Sequence, residues 1–439
     1  MTHIQHPAKD HRRIDRLFCG ETEHSKQVKR HEEDRMARWF IVNEPTPNNK
    51  DDSHQIANSE LAWTDRFEQV CGHSKAQQFP CLVSFIGKTG VGKSTLIGAM
   101  VTLSEKAQTV DVQTLDVPVT RIDNLEHATK PTSVGVNLYK DIETNESLNP
   151  IFFADCEGFG AGAAAAGASE VLGAASSDDP RSRRIKITSS LYSGNEPHSR
   201  SEVVSTLYAR FLYAFSDVVC FVSNDMQSFA AEIERLLLFI AKGYGATINQ
   251  TPAKTLICIF NQTPRHWAKM LIPEELKKIA LIEMGDVWTN SPVLAEIRST
   301  EWASGIDSTE EFLKKYFREI HFCCVPRKDN VSREVLAEQY ALLRRQIEYG
   351  SLFAENERKG TWASYNVEDL SSLFEMAFEH FATQSSPFDF ASAARKYDET
   401  PVNMEDHILC LLRQIYLKDD PKLISDFPTV VASALQTFS

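Results

Sequence analysis

At 439 residues the chain has room for about two or three domains with complete cores, so neither disulfides nor structural metals are needed to hold it together. Hydrophobic residues at 42% and charged residues at 24% are ordinary for a globular protein. A formal charge of −13 excludes a general attraction to nucleic acid or anionic lipid, although an acidic chain still holds phosphate locally.

Residues 1–60 are rich in charge, His and Asn, carry Pro45 and Pro47, and contain one short apolar patch, Trp39-Phe40-Ile41-Val42. This composition predicts a mostly disordered arm. Six of the 13 histidines fall here, from His3 to His54, at spacings that match no metal-ligand pattern. The N-terminus lacks the apolar core of a signal peptide, and no run approaches the roughly 18 apolar residues of a membrane span. The nine cysteines are scattered, several of them in apolar runs, with no Cys-x-x-Cys pair. Reduced, buried thiols in a cytoplasmic protein without a transmembrane segment are therefore expected.

From 61 to 330, short β-rich apolar runs alternate with segments long enough for helices. The runs are Cys81 to Ile86, Ile151 to Ala154, Val218 to Val222, Thr255 to Phe260 and Ile320 to Val325. Such alternation predicts an α/β domain, a mostly parallel sheet flanked by helices.

Directly after the first run stands Gly87-Lys88-Thr89-Gly90-Val91-Gly92-Lys93-Ser94, followed by the helical pattern Thr95-Leu96-Ile97-Gly98-Ala99-Met100. A strand, then Gly-x-x-x-x-Gly-Lys-Ser, then a helix is the context of a P-loop, or Walker A motif. The glycines permit positive φ and close backbone approach, so N–H groups from Gly87 to Thr95 and the helix N-terminus point at phosphates. Lys93 adds charge at the β- and γ-phosphates and is the first candidate catalytic residue. Ser94 offers a hydroxyl to Mg²⁺, which also requires a carboxylate near the end of a second strand.

Two later segments complete this pattern. Lys130-Pro131-Thr132-Ser133-Val134-Gly135-Val136 is a polar loop entering a strand, where Thr132, or alternatively Ser133, has a hydroxyl for the Mg²⁺ shell and for catalysis; a plain β-turn accounts for the same residues. Ile151-Phe152-Phe153-Ala154 ends at Asp155-Cys156-Glu157-Gly158, which has the Asp-x-x-Gly form. Asp155 is the expected metal carboxylate, and Gly158 would offer its N–H to the γ-phosphate.

Residues 160–200 are of low complexity, poor in large apolar side chains, and predict a flexible insertion. Beyond 330 the pattern turns helical. Leu336, Tyr340, Leu343 and Ile347 share one face with Gly350 as a C-terminal stop, Asn366 caps a stripe of Leu370, Leu373, Phe374, Ala377 and Phe381, and Ile408, Leu411, Leu412 and Ile415 form a third. Residues 331–439 are thus expected to be a helical C-terminal region, the candidate surface for a protein partner or a homodimer.

The order of these motifs resembles the GTPase branch of P-loop proteins, over about Pro80 to Lys328. The Gly-Lys-Thr-Gly-Val-Gly-Lys-Ser-Thr loop is similar to that of septin and AIG-type GTPases. Asp155-Cys156-Glu157-Gly158 is similar to the Asp-x-Glu-Gly of guanylate-binding-protein-like large GTPases. The Lys130 to Val136 and Ala154 to Phe159 stretches look like those of uncharacterised fungal G-domain proteins. The resemblance implies GTP, or ATP in the same cradle, as ligand with Mg²⁺, and a switch driven by the γ-phosphate.

Three departures bear on mechanism. Asn261-Gln262-Thr263-Pro264 stands where Asn-Lys-x-Asp is expected, so Asn261 is retained as a nucleotide contact while Pro264 replaces the base-reading carboxylate. Phe159 occupies the place of a water-orienting glutamine, and Gly90 that of an internal arginine finger. Slow hydrolysis is expected, or a nucleotide-binding scaffold with none, unless Lys88, Arg181, Arg183 or Arg184 provides the missing charge.

Overall fold

The computed structural model describes residues 36–43, 59–72, 77–109, 115–118, 135–158, 182–188, 200–224, 228–248, 254–263, 265–360 and 364–395. Each of the five apolar runs is a strand of one nine-stranded sheet. In chain order the strands are β1 Arg38–Asn43, β2 Glu60–Trp63, β3 Cys81–Gly87, β4 Val136–Lys140, β5 Ile151–Cys156, β6 Arg183–Lys186, β7 Val218–Ser223, β8 Thr255–Thr263 and β9 Glu319–Pro326. Their spatial order is β9-β8-β7-β3-β5-β4-β1-β2-β6. The pairs from β9 to β5 are all parallel, and those from β5 to β6 are antiparallel.

Parallel strands carry helices on both faces, so their inner residues are apolar on both sides. In β8, Leu256, Cys258 and Phe260 enter one core layer, while Ile257 and Ile259 enter the other. Cys323 and Cys324 divide in the same way, as neighbours on a strand must. Helix α1, Lys93–Thr102, and helix α4, Arg333–Gly360, cover the second layer through Leu96, Ile97, Met100, Leu336, Tyr340, Leu343 and Ile347. The first layer is covered by α2 Arg200–Phe215, α3 Phe229–Tyr244 and α5 Val367–Thr383.

Two expectations change. The Trp39 to Val42 patch, assigned to a disordered arm, is β1, and it pairs with both β2 and β4. Trp39 is 1% exposed and packs edge-on against Phe374 at 4.9 Å and Phe211 at 5.2 Å. Partners distant in sequence make this strand, and a 60-residue average of composition hides it. Among the described residues after 330, α4 and α5 are helical, and both are covering layers of the same sheet. Gly350 lies inside α4, where a Cβ would stand 2.9 Å from Cβ of Thr255; it serves close approach of helix to strand and does not stop the helix.

Asn366 caps α5 as expected, accepting from the N–H groups of Glu368 and Asp369 in a capping box with Asp369. Of the expected insertion, residues 183–186 form edge strand β6; Arg181 and residues 159–181 lie outside the described residues, as do Ile408, Leu411, Leu412 and Ile415. No helix among the described residues is long and apolar enough to cross a membrane.

Candidate functional site

The chain runs from β3 to β5 on one side, then crosses back to β7 on the other. The C-terminal end of β3 therefore stands where the direction of winding reverses, the usual place for a ligand crevice in an open α/β sheet. Gly87–Ser94 occupies that end.

Gly87, Gly90 and Gly92 have φ of +145°, +82° and +87°. At Gly92 the requirement is double, because its left-handed conformation caps α1 and a Cβ would meet Nδ2 of Asn261 at 2.4 Å. The turn releases the chain into α1, whose first turn carries no acidic side chain. The first N–H groups of any helix lack partners within it and form its positive end. Thr89 and Gly90 are exposed, leaving the outer side of the loop open.

Lys93 is buried, 7% exposed, and its ammonium folds back to donate to the carbonyls of Lys88 at 2.9 Å and Gly87 at 3.2 Å. Burial pushes its pKa below the ordinary lysine value, against the opposing pull of Asp155, Cys156 and Glu157. An anion arriving at the loop would relieve that penalty.

Strand β5 brings the second group. Its register with β3 sets Asp155 opposite Phe85, and the Ser94 hydroxyl donates to Oδ2 of Asp155 at 2.7 Å. Two oxygens in neighbouring positions of an octahedron with bonds near 2.1 Å lie about 3 Å apart, so this hydroxyl and carboxylate fit a hard divalent cation. Among the described residues no group of three or more His, Cys, Asp or Glu could hold a metal ion. A Mg²⁺ here would need further oxygen ligands, such as phosphate oxygens and water.

Two further expected residues close on the loop. Gly158 lies so near it that a Cβ would stand 2.3 Å from the backbone N of Thr89. Asn261, 4% exposed at the end of β8, donates from Nδ2 to the Val91 carbonyl at 2.8 Å. Beside it, Gln262 has φ +58°, left-handed and rare outside glycine. Thr132, Ser133, Phe159 and Pro264 lie outside the described residues.

Of the cations offered for the missing charge, Lys88 and Arg183 are paired with carboxylates, and Arg181 lies outside the described residues. The Lys88 ammonium sits 2.6 Å from Oε1 of Glu232, a carboxylate 2% exposed in the first turn of α3. Arg183 is on edge strand β6 and pairs with Glu375 of α5, away from β3.

Sequence reasoning assigned no role to Glu157, Arg200 or Glu232. Glu157 is 3% exposed; its carboxylate takes both Nη atoms of Arg200, at 2.5 and 2.8 Å, and the N–H of Gly135 at 3.0 Å. The signal for Glu157 was its place inside the Asp-x-Glu-Gly motif. Arg200 and Glu232 carried none, because their partners are 43 and 144 positions away. The chain matches no protein-family model and no curated protein sequence.

Proposed function

We propose that the protein binds a nucleoside triphosphate with Mg²⁺ through a P-loop at Gly87–Ser94, with GTP as the preferred nucleotide, slow hydrolysis, and a switch that follows the γ-phosphate. The observation that carries this reading is the convergence on one open loop of Lys93, the Ser94–Asp155 pair at 2.7 Å and the backbone of Gly158. Lys93 and the N–H groups of the loop and α1 would hold the β- and γ-phosphates. Ser94 and Asp155 would hold Mg²⁺, which supplies charge neutralisation between the phosphates. Thr132 retains its proposed place in the metal shell and in catalysis on motif order alone, and Thr95 continues the first turn of α1.

Guanine preference rests on the resemblance. Asn261 supports it only indirectly, since its amide is committed to the Val91 carbonyl and steadies the loop beneath the nucleotide. An ATPase using the same cradle is the variant of this reading.

A second reading, a nucleotide-binding scaffold with little or no hydrolysis that engages a protein partner or a second copy, is favoured by the Lys88–Glu232 pair. That pair holds the other lysine of the loop against α3 rather than over the phosphates.

Titrating one purified sample with GTP, GDP, ATP and ADP in the presence of Mg²⁺ tests both base and phosphate recognition. The proposal expects triphosphates to bind, GTP tightest, with turnover above buffer. Equal affinity for GTP and ATP overturns the guanine preference, and turnover indistinguishable from buffer with tight triphosphate retention selects the scaffold.

A further inference from the structure

The segment Asp155 to Gly158 touches the Gly87–Ser94 loop at both ends, through the Ser94 hydroxyl on Asp155 and the Gly158 backbone against Thr89. Glu157 lies between these contacts, and its hydrogen bonds go to Gly135 and Arg200. Its own N–H donates to the Gly135 carbonyl at 2.8 Å while its carboxylate accepts from the Gly135 N–H at 3.0 Å, a closed pair of bonds to the head of β4. The same carboxylate holds Arg200, the first residue of α2, by two parallel bonds. Arg200 in turn donates from Nε to the Val42 carbonyl of β1 at 3.1 Å. Both side chains are nearly inaccessible, at 3% and 6% exposure.

A buried ion pair is a poor device for stability alone, because apolar side chains of equal volume do as well without the desolvation cost. It does, however, have little slack. If Glu157 moves, either a charge is left buried and unpaired or Arg200 and Gly135 move with it. We propose that the Glu157–Arg200 pair is a positioning element that couples occupancy of the γ-phosphate position beside Gly158 to the head of β4, the end of β1 and the start of α2. This rests on the nucleotide reading above and names how that site is regulated: the signal leaves it through the antiparallel side of the sheet. Glu157 and Arg200 are positioning residues, since they act through their bonds to each other, to Gly135 and to Val42.

The test uses the full chain and the double variant Glu157→Gln/Arg200→Met, which removes both charges together and leaves an amide oxygen for the Gly135 N–H. Affinities for GDP and a non-hydrolysable GTP analogue are measured with Mg²⁺, and amide hydrogen exchange is followed at Val42, Gly135 and the first turn of α2. In the wild type the triphosphate analogue, relative to GDP, slows exchange at all three places. In the double variant GDP affinity stays within about twofold, the triphosphate preference falls about tenfold, and the exchange response at Val42 and α2 is lost. A merely structural role would lower the thermal midpoint and leave that preference unchanged.

A variant that keeps both the preference and the response overturns the coupling while leaving nucleotide binding intact. A wild type that binds neither nucleotide overturns the underlying reading and the coupling with it. If the double variant loses its cooperative thermal transition, the wild type decides alone, because identical exchange at Val42 and α2 with GDP and the analogue overturns the proposal.

Discussion

The positions of Lys93, Ser94 and Asp155 at a helix start and near a strand end were legible, because each stands beside an apolar run whose bounds the pattern marks. Asp155 stands next to last in β5, opposite Phe85, and accepts from the Ser94 hydroxyl. Gly350 was misread for an equally local reason. A glycine after an apolar helical stripe has the form of a stop, and only the Thr255 side chain, 95 positions earlier, explains it as a point of close approach. The proposed metal role of Asp155 has a direct consequence: Asp155→Asn keeps the shape and removes the charge. Mg²⁺-dependent triphosphate affinity should fall about 10–100-fold, towards the wild-type value in EDTA. Unchanged affinity in a metal titration would remove Asp155 from the metal site.

Elements with strong internal pattern were legible, and those made by distant partners were not. The parallel strands read as continuous apolar runs, and α5 announced itself through its apolar stripe and the cap Asn366. Strand β1 did not, because its six residues sit in a charged stretch and gain their order from β2, β4 and the aromatic rings of α2 and α5. If β1 is part of the core, Trp39→Ala removes a large side chain packed against Phe67, Phe211, Phe374 and Phe378. The expected loss is about 3–5 kcal/mol of unfolding free energy, read from the urea midpoint at unchanged slope. A shift below about 0.5 kcal/mol, usual for a surface site, would contradict a place for Trp39 in the core.

At the scale of the whole molecule, one sheet separates two apolar layers, and helices from both halves of the chain cover each. The C-terminal helices therefore cannot be parted from the sheet without exposing it, which sequence pattern alone did not convey. The sheet end opposite the Gly87 loop carries Lys254, 4% exposed, which donates to the carbonyls of Ala214 and Ser216. Burial lowers its pKa from 10.5 to about 7, opposed by nearby Asp217 and reinforced by Arg358. Between these two values the unfolded chain holds the proton and the folded chain does not, so stability from this group rises with pH from about 7 towards 10.5. It is least below pH 7, where the folded chain must bury the charge. Lys254→Met should remove a slope of up to about 1.4 kcal/mol per pH unit, seen as a difference from wild type that moves in favour of wild type between pH 7 and 9. Parallel stability profiles would contradict it. The loop at the other end of the sheet carries the central claim, and Lys93→Ala tests it most directly. In a calorimetric titration with GTP and Mg²⁺, the wild type should bind and the variant should lose binding by at least about a hundredfold while keeping its thermal midpoint within a few degrees. Equal binding of GTP by wild type and Lys93→Ala would contradict the account.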